Sequence, residues 1–314
     1  MNFAAFSTAF STRSTLVALA LLATATPAAP CGLRTATAFP QAQSDAPSAP
    51  PSALPDGTEL LRRALDRLGG DAWNAIGSFE SVARVETPMG KGRVAYSFVA
   101  PVAKLPAAHL LVQTMPGGDG TASGAETTLE LGVADGVAWM GEPGRAQPVE
   151  PAMAAELAGG GDLITLVRSL SARFSDVRTI GRETVDGRPC WRLAMRPVGA
   201  PPEHAPWSLF LSEPDAEIVG LEIPPPPRAE AANAPVAGGQ SMRFRRWEPV
   251  ERGNRALAPA SEDTPARLVS FREATITTAG MKIDMIYERV AVDTLAPGSI
   301  AAPASIGGGA ARGR

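Results

Sequence analysis

The sequence predicts an α+β domain, a strongly curved antiparallel β-sheet with a few helices covering one face. Three observations predict it. One amphipathic helix opens the ordered region and stops at Gly69-Gly70. A long series of short apolar/polar alternations follows, separated by Gly-, Asp- and Pro-containing turns, the pattern of half-buried strands. Between about Pro151 and Phe174 the period changes to that of helices, after which strand patterns resume. Strands, then helices, then strands again describe helices laid on one side of a sheet.

The helix is predicted to start at Asp56, whose carboxylate can cap free amide groups while Glu59 reaches back, a capping box. Leu60, Leu61, Ala64, Leu65 and Leu68 form its apolar stripe, with Arg62, Arg63, Asp66 and Arg67 opposite. A short turn carrying Trp73 and Ile76 then fastens the helix to the first strand. In that strand Phe79, Ser81, Ala83 and Val85 alternate against Glu80, Val82, Arg84 and Glu86, and a Met89-Gly90-Lys91-Gly92 turn returns the chain into Val94, Tyr96 and Phe98.

Leu110 and Val112, then Leu129, Leu131 and Val133, then Val137 and Trp139 after Asp135-Gly136, extend the meander. Two short helices are expected between Pro151 and Phe174, broken at Gly159-Gly160-Gly161. Strands resume over Val177–Val185, turn at Asp186-Gly187, and continue through Trp191–Met195, Trp207–Leu211, Val219–Ile223, Met242–Val250, Leu268–Thr277 and Met281–Val292.

Outside this domain the chain has a different character. A Leu/Ala/Val run from Leu16 to about Ala25 follows a single charge at Arg13; it is too short for a bilayer span and fits the apolar region of a cleavable leader. Export to the periplasm or cell envelope is therefore expected. The organisation read from these features is a leader at 1–28, a Pro/Ala-rich tether at 29–55, the folded domain at 56–296 and a frayed tail at 297–314. The run Pro224–Gly239 reads as an exposed loop.

Cys31 follows the Leu/Ala run as a lipid-modified Cys would, although Pro30 before it fits that signal poorly. Cys190 lies in a predicted strand and reads as a buried free thiol, with a disulfide to Cys31 the alternative in an oxidising compartment.

Charge and motifs narrow the function. With Lys+Arg 29 against Asp+Glu 32, no large positive field is available to draw in nucleic acid. Arg243, Arg245 and Arg246 form the densest basic cluster and read as a solvated strand face, with an acidic head group as the alternative contact. The two histidines, His109 and His204, lack metal-ligand spacing to each other or to a Cys. There is no Gly-x-Ser-x-Gly elbow, and Gly118–Gly124 lacks the setting of a nucleotide loop. The sequence thus nominates no catalytic residue, metal or cofactor.

The segment Leu65-Asp66-Arg67-Leu68-Gly69-Gly70-Asp71-Ala72-Trp73-Asn74-Ala75-Ile76-Gly77-Ser78 resembles the opening of the LolA/LolB-like superfamily of envelope lipoprotein and lipid carriers. Val185–Leu193 resembles the middle hairpin of that family, and Tyr287–Pro303 its closing strand. The resemblance implies an unclosed half-barrel around an apolar cavity that takes acyl chains without covalent chemistry. It implies a lipid or an acylated protein as partner, with a membrane-surface or envelope protein as a further one, and a monomeric chain.

The residues expected to line such a cavity are Val94, Tyr96, Phe98, Leu110, Val112, Leu129, Leu131, Trp139, Leu193 and Leu211. Taken singly each reads first as ordinary core, and only the group, on a sheet too curved to close, argues for a cavity. Two further classes stay open beside a carrier: a structural or partner-docking envelope module with a filled interior, and a hydrolase of unrecognised type.

Overall fold

The structure, a computed structural model, describes residues 54–88, 90–102, 105–116, 126–150, 170–225, 239–253, 267–278 and 280–307. The expected leader, the tether up to residue 53, the two helices as far as residue 169, the loops at 118–124 and 226–238, and the end of the tail lie outside these residues.

Helix α1 (Gly57–Leu68) begins where the sequence places it: the Asp56 carboxylate accepts a hydrogen bond from the Glu59 amide at 2.8 Å. Only half of the capping box forms, because the Glu59 side chain turns instead to the Arg62 guanidinium. Gly69, at φ 117°, ends the helix in a conformation that L side chains rarely adopt. A 3₁₀ helix (Gly70–Ala75) leads into the sheet.

Fourteen strands form one sheet: β1 (Ser78–Thr87), β2 (Gly90–Val99), β3 (Ala108–Pro116), β4 (Glu126–Ala134), β5 (Val137–Gly141), β6 (Gln147–Pro148), β7 (Phe174–Val185), β8 (Arg188–Pro197), β9 (Trp207–Ser212), β10 (Ile218–Ile223), β11 (Gln240–Pro249), β12 (Glu251–Arg252), β13 (Val269–Thr278) and β14 (Met281–Val292). Short helices α2 (Leu170–Arg173) and α3 (Ala304–Gly307) complete the described elements.

The spatial order is β6-β5-β4-β3-β2-β1-β14-β13-β11-β10-β9-β8-β7, antiparallel throughout, with β12 added in parallel to β14. The first and last long strands are central neighbours, and β6 and β7 are unpaired with one another at the two ends of the path. The sheet is curved and unclosed, and the chain between β6 and β7 passes from one edge to the other.

The hairpins follow from turn chemistry. Asp135-Gly136 and Asp186-Gly187 both take positive φ at each residue (52° and 75°; 50° and 76°), the twist that closes a two-residue hairpin. Irregularities interrupt other strands. The register of β1 against β14 shifts between Val82 and Ala83, and Arg246 takes φ 57° within β11.

Cross-strand register sorts side chains onto two faces. One face, here the inner one, carries Phe79, Ala83, Val85, Tyr96, Leu193, Met195, Leu209, Leu221, Met242, Phe244, Ile276 and Val290, and α1 packs on it through Leu60, Leu61, Ala64 and Leu68. Burying each such leucine stabilises the fold by about 1.5–3 kcal/mol.

The outer face carries a second cluster, Val99, Ala108, Ala134, Trp139 and Ala146, covered by Leu295, Ile300, Ala302 and Ile306. The frayed tail expected after Ala296 is therefore corrected for residues 297–307: Ile300 is buried against this face, and α3 follows it. Its few apolar residues escape a periodicity search because they cover a surface already built by strands. Phe174 also differs from expectation, opening β7 rather than closing a helix.

Candidate binding cleft

A cleft of about 500 Å³ lies between α1, the 3₁₀ helix, α2, the start of β7 and the strands β11 and β13. Its apolar walls are Leu61, Leu65 and Leu68 from α1, Trp73 from the 3₁₀ helix, Phe174 and Val177 from β7, and Trp247, Val269 and Phe271 from the sheet. Its polar lining is Thr58, Arg62, Asp66, Asp71, Asn74, Ser171 and Ser270.

Local structure explains how these side chains meet. The amphipathic stripe of α1 sets Leu61 and Leu68 against the inner face. Two glycines bring the helix close: a Cβ on Gly57 would stand 2.7 Å from the Thr179 amide nitrogen, and one on Gly69 would stand 2.8 Å from the Leu268 side chain. The Trp73 indole donates to the Leu68 carbonyl oxygen at 2.7 Å, which fixes the wall at the helix end. Across the cleft, Trp247 donates its indole N–H to the Ile218 carbonyl at 3.1 Å, and Phe271 meets its ring edge-on at 5.5 Å.

The charged groups at the rim are largely spoken for. Arg62 binds Glu59 through Nε (2.8 Å) and Nη2 (2.7 Å), and Asp66 through Nη1 (2.5 Å). The hydrogen bond from Arg62 holds the Glu59 carboxyl below its usual range, and the same bond raises the guanidinium. Asp71 accepts a long bond, 3.4 Å, from the Asn74 amide.

The ten residues nominated from sequence are split by the register. Val94, Tyr96 and Phe98 share the inner face with Leu129 and Leu131, because Tyr96 pairs with Leu111, which pairs with Leu131. Leu193 and Leu211 are also inner and fully buried. Leu110, Val112 and Trp139 belong to the outer face: Leu110 pairs with Ser97 and Gly132, Val112 with Ala95, and Trp139 with Gly132.

None of the ten lines the cleft. Near Tyr96 the inner face carries a polar pair, Tyr96 Oη and His109 Nδ1 at 2.9 Å, with the Phe98 ring 4.9 Å from the imidazole. The cleft residues themselves were visible in the sequence only as core or helix-stripe positions; Leu61 and Phe271 are far apart in the chain, and no local pattern joins them.

The basic cluster is neutralised. Arg243 pairs with Glu222 at 2.9 Å, Arg245 with Asp186 at 2.5 Å, and Arg246 with Glu248 at 2.9 Å and Glu273 at 3.0 Å. Cys190 is buried on the outer face beside Val185, Phe210 and Val219, and burial pushes its thiol up. Among the described residues no group of three His, Cys, Asp or Glu is arranged to hold a metal ion, and no helix is long and apolar enough to cross a membrane.

No protein-family model matches the chain, and no curated protein matches it. Among solved structures it is similar to a DUF1329 family protein from Desulfovibrio piger, at 12% identity over 77% of this chain and 96% of that one, with a TM-score of 0.44. It is similar also to a LolA superfamily protein from Nitrosomonas europaea, at 10% identity over 77% and 96%, with a TM-score of 0.38. A third is the Mycobacterium tuberculosis lipoprotein LppX, at 12% identity over 76% and 98%, with a TM-score of 0.25. The unclosed antiparallel sheet itself stands on the strand order described above.

Proposed function

We propose that this chain is an exported binding or carrier protein of the cell envelope that holds an acyl chain, of a lipid or of an acylated protein, without covalent chemistry. The observation that carries this reading is the cleft beneath α1. Its walls are apolar aromatics and leucines, its polar lining is exposed except for the buried Ser270, and its volume of about 500 Å³ suits one chain-like ligand. Each methylene moved from water into such a site contributes roughly 0.8 kcal/mol. Among the described lining residues the groups able to act as base or nucleophile are Asp66, Asp71, Ser171 and Ser270, with no His, Cys or Lys beside them.

In this reading the leader exports the chain and the domain acts as a monomer. Native mass spectrometry of protein extracted gently from its own envelope tests it. A copurifying mass that is lost in Leu65→Glu, with the circular dichroism unchanged, supports the reading. A clean apo mass from the unaltered chain rejects it.

A second reading has its own support. Much of the inner face is filled by the protein itself, with Leu193, Met195, Leu211, Met242, Phe271 and Ile276 fully buried. A packed interior suits a structural module that docks a protein partner, and the clean apo mass is the result that favours it.

A further inference from the structure

Resting on the reading of the cleft as an acyl-chain site, we propose that Gly57 and Gly69 set its width, so that it takes one straight chain and rejects branched ones. Both glycines put α1 in close contact with the sheet. A Cβ on Gly57 would stand 2.7 Å from the Thr179 amide nitrogen and 2.8 Å from the Arg178 carbonyl carbon, backbone atoms that cannot turn aside as a side chain can. A Cβ on Gly69 would stand 2.8 Å from the Leu268 side chain and 3.3 Å from the Arg267 carbonyl oxygen. These two contacts bracket the cleft. Gly57 adjoins Thr58 and Gly69 adjoins Leu68, the first and last lining residues of α1, while on the sheet side Arg178 adjoins Val177 and Leu268 adjoins Val269. The helix is therefore held down at both ends of the slot, over about 18 Å at the rise of an α-helix.

Strand β7 is shaped for the first contact. Its register against β8 shifts between Ser175 and Arg178 and again between Thr179 and Gly181, so the two residues that Gly57 meets form a paired step between two irregularities. Asp176, inside the first of these, takes φ 53°. Irregularities of this kind bend a strand. At the same step the Thr179 hydroxyl oxygen is buried with no hydrogen-bond partner among the described residues, a state that native structures rarely keep. The Trp73 indole, bonded to the Leu68 carbonyl oxygen, secures the other end of the helix. Leu61 and Leu65 of α1 thus form one wall of the slot and Trp247 and Phe271 of the sheet another, and a methyl branch on the ligand finds no room made by lifting α1.

The test is a native mass-spectrometric competition on the full chain between palmitate and phytanate, which share a main-chain length and a carboxylate and differ in the methyl branches of phytanate. In an unconfined apolar site the extra methyl groups favour phytanate. Here palmitate is expected to be bound in about tenfold excess, the scale on which overpacking is penalised. Gly57→Ala pushes the start of α1 off β7 and should bring the ratio close to one or reverse it; Leu65→Ala, which makes room without touching either contact, should move it the same way. Gly132→Ala, also crowded but on the outer face, should destabilise the domain and leave the ratio unchanged. Phytanate bound as well as palmitate by the unaltered chain overturns the proposal. So does a ratio that moves equally in Gly132→Ala, or one that stays put in Gly57→Ala, or in Leu65→Ala where the glycine variant does not fold. Binding of neither fatty acid overturns the reading of the cleft and the width proposal with it.

Discussion

The Trp73 indole donates a hydrogen bond to the carbonyl oxygen of Leu68 at 2.7 Å, at the point where α1 ends and the wall of the cleft begins. The same ring stands 6.5 Å from Phe79 in β1 and is almost fully buried. One residue therefore closes the helix, joins it to the sheet and faces the cleft. Trp73→Phe keeps the ring but removes this bond, at a cost of about 0.5–1.5 kcal/mol. Trp73→Ala removes the packing too and costs about 3–5 kcal/mol. Urea denaturation of the two variants should give that order, with ligand retention impaired in the alanine variant first.

Gly132 and Trp139 form a second such pair on the outer face. A Cβ at Gly132 would stand 2.1 Å from the Trp139 ring, so Gly132→Ala forces the indole out of its place at about 1–3 kcal/mol. Because this pair lies on the face opposite α1, thermal denaturation should show the loss while the proposed acyl-chain binding, measured on the remaining folded protein, is unaltered.

Asp293 ties the start of β1 to the end of β14. Its buried carboxylate accepts the Gly77 amide at 2.8 Å and stands 3.7 Å from Arg252, and its backbone takes φ 58°. Asp293→Ala loses the acceptor and puts a side chain poorly suited to that conformation in its place; a loss of about 1–3 kcal/mol is expected in denaturant unfolding. Asp293→Asn keeps an acceptor and tolerates the backbone, so it should lose less.

The pH dependence of α1 has a definite sign. Hydrogen bonding to Arg62 lowers the Glu59 carboxyl in the folded state, so its contribution is present above the ordinary carboxylate range, roughly pH 4, and disappears as pH falls through the lowered folded value. Glu59→Gln should therefore be slightly less stable than the unaltered chain at neutral pH and equal to it in strong acid. Denaturation midpoints measured across that interval check this, and a difference that grows on acidification would contradict it.

Cys190 should be silent to thiol reagents. It is buried and its thiol is pushed up by that burial, so the reactive thiolate is scarce in the native state. Mass-spectrometric mapping after iodoacetamide treatment should find the Cys190 peptide modified only when denaturant is present.

The sequence carried the elements further than it carried the site. Asp56, Gly69 and the two Asp-Gly turns locate α1 and two hairpins because each acts on its immediate neighbours. Strand β14 was readable end to end from Met281 to Val292 for the same reason. Face assignment failed where alternation is blurred: Leu110, Leu111 and Val112 are consecutive apolar residues, and only pairing with β2 shows that Leu111 faces inward and its two neighbours outward. The cleft was hidden because it joins α1 to β11 and β13, which lie far along the chain, and each wall residue looks locally like core. The covering of the outer face by Ile300 and Ile306 was hidden in the same way.

The placement of β1 beside β14 has a mechanical consequence. The chain enters and leaves the sheet at one end of these two central strands, where the Ser78 carbonyl accepts the Asp293 amide at 2.9 Å. Tension drawn between the two ends would load the β1–β14 ladder one rung at a time, beginning at the Gly77–Asp293 clasp, and part the domain down its midline rather than peel it from an edge.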